Sequence, residues 1–146
     1  MCKCTPEIRT PFCGRVPECT FPSMEGKPFV RTLAFDFDGV LHAYRDGYKD
    51  GTAYDIPNEG VKETLKYLLR DYAVYVFSTR SPEMIQDWFA RHQLGFVTEI
   101  IPEDTTLRFW TTRNVIGISR IKLPAVAYID DRAIRFTNMR DIRNYF

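Results

Sequence analysis

Three short apolar runs constrain this chain most: RTLAFDF (31–37), AVYVFS (73–78) and AVAYID (125–130). Each reads as a buried strand, and polar residues stand at or just beyond the end of each. Between the first two lies NEGVKETLKYLLRDY, in which Val61, Leu65, Leu68 and Leu69 share one helical face. After the second, Ser81 caps a helix with Pro82 at its first position, which continues as EMIQDWFARHQ and is ended by Gly95. Shorter strands are expected at 97–101 and near 114–118, and a short edge strand at IRF (134–136). The tail NMRDIRNYF reads as a last helix capped by Thr137 or Asn138. Residues 40–56, polar and aromatic with Gly47 and Gly51, read as a loop or small hairpin flap. Strand, helix, strand, helix, strand predicts an α/β fold: a Rossmann-like three-layer α/β/α sandwich with a mainly parallel sheet.

The size fits. A chain of 146 residues suits one domain with a real core, and 45% apolar with 27% charged residues is the balance of a soluble globular protein. A net charge of +1 supplies no strong global field toward nucleic acid or membrane. No apolar run approaches a membrane span and the N-terminus lacks a signal-peptide core, so a cytoplasmic location is the default expectation.

The four cysteines, Cys2, Cys4, Cys13 and Cys19, all fall within the first nineteen residues. Four thiols suit a tetrahedral Zn²⁺ site, although C-x-C-x8-C-x5-C is not a standard zinc spacing; disulfides and free thiols are the alternatives. Prolines at 6, 11, 17, 22 and 28 prevent long helices here. Residues 1–28 therefore read as an irregular arm, and 29–146 as the α/β domain.

In parallel sheets chemistry gathers at the carboxyl ends of the strands. The first strand ends with Asp36 and Asp38, which strand alternation would put on one side. The second ends with Ser78, Thr79 and Arg80; Asp130 and Asp131 follow the last, and Lys122 lies just before it. Two like charges so close repel unless a cation sits between them or one must react. Mg²⁺ takes oxygen ligands and neutralises phosphate. One Asp can attack phosphorus, a second can move the proton, and a lysine and a hydroxyl can stabilise the transferring group.

DFDGV, a strand ending in ST, a lysine and then IDD, in that order, resemble the haloacid dehalogenase superfamily. The resemblance implies a phosphatase rather than a dehalogenase, because an aspartate fills the second position of DFD. It implies Asp36 as nucleophile, Asp38 as general acid/base, Ser78 as phosphate ligand and Lys122 as charge stabiliser. Thr79 and Arg80 adjoin the phosphate position, and Arg80 and Arg132 suit either bidentate phosphate binding or a pairing with a structural carboxylate. Mg²⁺ would be held by Asp36, the backbone carbonyl of Asp38 and Asp130, with Asp131 as a further ligand or a support. The spacing between motifs leaves no room for a large cap domain, so the cleft is expected to be open. STRSPE and DDRAIRFTN are also similar to small phage and bacterial members, some related to polynucleotide 3′-phosphatase domains. The expected partner is a phosphorylated small molecule or a nucleic-acid end, with no membrane.

Plainer readings stand beside these. The acidic pairs are also compatible with solvated turns, Ser78 and Thr79 with helix capping, and Lys122 with ordinary surface. His42, Tyr44, Arg45 and Tyr48 in the flap are substrate contacts or surface residues; Trp88, Phe89 and Trp110 read as core. The late arginines 132, 135, 140 and 143 form at most a weak basic stripe. The competing function is a non-catalytic binder of a phosphorylated ligand or a partner protein on the same fold.

Overall fold

The computed structural model describes residues 30–104 and 109–146. The four cysteines, and with them the expectation of a zinc site, lie outside the described residues. Among the described residues five strands form one sheet: β1 (Arg31–Asp36), β2 (Tyr72–Phe77), β3 (Val97–Ile100), β4 (Val115–Ser119) and β5 (Ala127–Ile129). Their order is β3-β4-β2-β1-β5, and every pairing is parallel. Three helices accompany them: α1 (Val61–Leu68), α2 (Pro82–Arg91) and α3 (Met139–Arg143). No helix among the described residues is long and apolar enough to cross a membrane.

Register explains which side chains meet. Leu33 lies level with Val74 and Ile116, and Phe35 with Val76 and Ile118. These six form one face of the sheet, and Val61 and Leu65 of α1 with Ile85, Trp88 and Phe89 of α2 bury against it. Both helices therefore cover the same face. Burial of such side chains contributes roughly 1.5–3 kcal/mol each and makes this layer the main core.

The residues between them, Ala34, Tyr75 and Gly117, point to the opposite face, which is covered by Ile101, Leu123, Trp110 and Ile121. Helices on both faces were the sequence expectation; among the described residues this second cover is loop. Chain length gives the reason for the part that joins β4 to β5. Residues 120–126 must run back along the sheet, a distance of roughly 16 Å for a five-residue strand. They would span only about 10 Å as a helix but about 23 Å extended. Gly117 serves the same cover, because a Cβ there would stand 2.7 Å from Ile101 and 2.8 Å from the Trp110 ring.

The strap 120–126 is pinned by one buried phenol. Tyr75 donates its O–H to the Leu123 carbonyl (2.6 Å) and accepts from the Leu123 N–H (2.9 Å). Tyr75→Phe strands a buried N–H, so we expect a loss of about 2 kcal/mol, read by urea unfolding with an unchanged slope. An unchanged midpoint would mean that the strap is held without the Tyr75 phenol, by packing and by the Tyr128 O–H on the Leu123 carbonyl and the Val126 N–H on the Thr32 carbonyl.

One local expectation is corrected. IRF (134–136) is not a strand; Ile134 and Phe136 are exposed, and among the described residues no strand lies beyond β5 to pair with them. Of the two readings of residues 40–56, loop or small hairpin, the structure shows the loop, closed by the Ala43 N–H on the Ile56 carbonyl (2.9 Å) and by side chains such as Asp55 and Tyr54. The last helix is capped by Asn138, whose Oδ1 accepts from the Asp141 N–H at 3.0 Å.

Candidate active site

From β1 the chain moves to one side of the sheet, through β2, the edge strand β3 and then β4 between them, and returns to the other side of β1 as β5. Parallel sheets open a crevice at the carboxyl ends where the strand order reverses in this way. Here that point lies between β1 and β5. Phe35 is level with Ile129, so the next residues, Asp36 and Asp130, leave the sheet side by side. Asp36, Asp130 and Asp131 each offer an oxygen, and the three oxygens lie within 4.8 Å of one another. Gly39 makes room for this approach: its φ is +81°, and a Cβ at that position would overlap the Asp131 carboxylate.

No lysine or arginine among the described residues forms an ion pair with any of these three carboxylates. Burial chiefly, and the neighbouring Asp130, Asp131 and Asp38 charges, push Asp36 up to about 6, against the lowering effect of the Phe37 N–H on its Oδ1. All donors in the cluster are carboxylate oxygens, the class that Mg²⁺ selects, and the repulsion among them is of the sign a cation relieves. The donor set fits the expected ion. Protons and Mg²⁺ should then compete for Asp36. We expect Mg²⁺ to raise the melting temperature at pH 7.5, with apparent affinity falling up to about tenfold per pH unit below 6. A Mg²⁺ effect that is absent, or equal at pH 7.5 and pH 5, would exclude this cluster as the binding site.

Asp38 does not share the cluster. The strand alternation that would align it with Asp36 stops at Asp36, the last residue of β1. The chain then folds back on the Phe37 carbonyl, which accepts from Leu41 N–H (3.0 Å) and His42 N–H (2.9 Å). The Asp38 carboxylate is held on both oxygens: His42 Nδ1 lies 2.8 Å from Oδ1, and Arg80 Nε donates to Oδ2 at 2.7 Å. Only a backbone contact to a metal, the one expected of Asp38, is compatible with that arrangement.

Of the remaining expected residues, Ser78 and Arg80 belong with the Asp38 group and Lys122 with the acidic cluster. Ser78 is buried just past β2, its N–H on the Ser119 carbonyl (3.1 Å) and its Oγ accepting from Arg80 N–H (3.2 Å). Thr79 is exposed, while the Arg80 side chain is largely buried and also donates to the Gly51 carbonyl of the flap. Lys122 lines a shallow cavity of about 90 Å³ together with Asp36, Asp130, Phe77 and Tyr128. Its ammonium stands 4.4 Å from the centre of the Tyr128 ring, which orients it.

One residue of this region was misjudged from sequence. His42, expected on the flap surface or against substrate, is fully buried and stacked on Phe37 (5.1 Å between ring centres). Its Nε2 accepts from the Asp55 N–H at 2.9 Å. Asp55 in turn chelates Arg45, which holds the Asp55 carboxyl well below the usual carboxylate range. The available signal was local: a histidine four residues after an acidic residue and beside an apolar pair, Val40 and Leu41.

Compared with protein-family models, curated proteins and solved structures, the chain finds no match.

Proposed function

We propose that this chain is a capless, Mg²⁺-dependent phosphomonoester hydrolase of the haloacid dehalogenase type, with a Rossmann-like sandwich as its fold. The observation that carries the reading is the convergence of Asp36, Asp130 and Asp131 at the strand-order reversal, with Lys122 lining the same cavity as Asp36 and Asp130. Asp36, Asp130 and Asp131 would hold the ion, which when bound neutralises phosphate charge. Asp36 attacks phosphorus and the bond to the ester oxygen breaks, leaving an aspartyl-phosphate. Asp38 gives its proton to the departing oxygen. Water then attacks the same phosphorus, Asp38 takes a proton back, and inorganic phosphate leaves with the Asp36 carboxylate restored. Lys122 and Ser78 stabilise the charge on the transferring group. No large domain stands between the motifs, which favours substrates such as nucleotides or polynucleotide ends.

The direct test is phosphate release with Mg²⁺ from a panel containing 3′-phosphorylated DNA, 5′-nucleotides and sugar phosphates. Release by the wild-type protein, with a phosphoryl group trapped on Asp36, supports the proposal; silence across the panel defeats it. A second reading, a binder of phosphorylated ligands without turnover, has one observation in its favour: both oxygens of Asp38 are already engaged. Ligand binding with no phosphate release would decide for it.

A further inference from the structure

His42 is a fully buried histidine whose two ring nitrogens both have partners, and the identity of those partners fixes its proton. The group facing Nε2 is the Asp55 backbone N–H, which can only donate. Nε2 must therefore be the unprotonated, accepting nitrogen. The proton sits on Nδ1, and Nδ1–H points at Asp38 Oδ1, 2.8 Å away. The contact is thus a directed hydrogen bond from a neutral ring, not an ion pair. The ring has little freedom to turn: it stacks on Phe37 and meets the edges of Tyr54 and Trp88 at 5.4 and 6.0 Å. Asp55 is itself fixed by the Arg45 guanidinium, and its carbonyl accepts from the Trp88 indole N–H at 2.8 Å.

We propose that His42 is a positioning residue for Asp38, and that it decides which Asp38 oxygen does the chemistry. Oδ1 is tied to the buried ring. Oδ2, engaged among the described residues by Arg80 alone, is the oxygen that gives the proton to the leaving group and later receives one from water. Arg80 must release Oδ2 for this, whereas His42 keeps its hold throughout. The inference rests on the hydrolase reading above, and it adds a residue that acts through Asp38 without touching substrate.

Two measurements test it. Long-range ¹H–¹⁵N spectra of the wild-type protein should show His42 in the Nδ1–H tautomer, with the Nδ1 signal displaced in Asp38→Asn. The Nε2–H tautomer would overturn the proposal without any assay. The second measurement compares kcat/KM for an alkyl phosphate and for 4-nitrophenyl phosphate, whose leaving group needs no proton. His42→Gln, which keeps an amide near Nε2 but no donor at Asp38, should lose about 100-fold on the alkyl ester and less than about threefold on the aryl ester. His42→Asn, which restores an N–H near the Nδ1 position, should recover most of that loss. Equal losses on both esters in folded variants would mean a purely structural histidine and overturn the proposal, as would no loss on either. Should the variants fail to fold, the tautomer measurement still decides. If wild-type protein hydrolyses neither ester, the hydrolase reading itself has failed, an outcome distinct from active protein with an indifferent His42.

Discussion

Asp36→Asn is expected to abolish phosphate release, by about 10⁴-fold or more, and at the same time to stabilise the metal-free protein. The two effects have one cause. Asp36 is a partly buried carboxylate beside two others, and its ionisation is raised from the usual 3.8 to about 6. The folded state therefore disfavours its charge. Its contribution to stability is fully present below about pH 4 and is lost as the pH rises through 6. Asparagine cannot ionise, and its side-chain oxygen can still accept from the Phe37 N–H. Allowing for solvent screening, the gain at pH 7.5 without metal is about 1–2 kcal/mol, or a few degrees in melting temperature. It should shrink as the pH falls from 6 to 4 and vanish below. Thermal scans at pH 7.5 and 4 without metal, with a chelator present, read this directly. A variant that loses activity without that pH-dependent gain would place its defect in the fold and not in the charge.

Gly39→Ala should disable the acidic cluster without altering any carboxylate. Two costs fall on this substitution. Alanine at φ +81° loses roughly 1–2 kcal/mol by itself. The added Cβ also overlaps the Asp131 carboxylate, which must move away from Asp36 and Asp130. We expect Mg²⁺ affinity to fall at least about tenfold and kcat/KM about 100-fold. Gly47→Ala is the matched control. Its φ is +67°, so it suffers similar backbone strain, but nothing lies within 4 Å of the new Cβ. Calorimetric titration of Mg²⁺ into both variants separates strain from displacement. Equal affinities would show that Asp131 does not help to hold the ion.

These effects differ in how far they could be read from the chain. Strand and helix periodicity are local, and so the sequence placed β1, β2, α1 and α2 to within a residue or two at most ends. The carboxyl-end rule also put Asp36 and Asp130 at one rim before any register was known. Gly117 and Gly39 were opaque, since each answers to an atom distant in sequence, the Trp110 ring and the Asp131 carboxylate. The interleaving of β4 between β2 and β3 was equally hidden, because apolar strands carry no mark of their neighbours.

An α/β chain with parallel strands that terminate in acidic and hydroxyl side chains was legible from the residues, because hydrophobic periodicity and strand-end polarity are local properties. Tertiary packing alone set Asp38 apart from its neighbour Asp36 and against His42 and Arg80, laid both long helices on one face, and buried a flap histidine completely. Those outcomes depend on which surfaces meet once the strap 120–126 and the turn after β1 are closed. Closure is set by chain length and packing, neither of which a run of adjacent residues encodes.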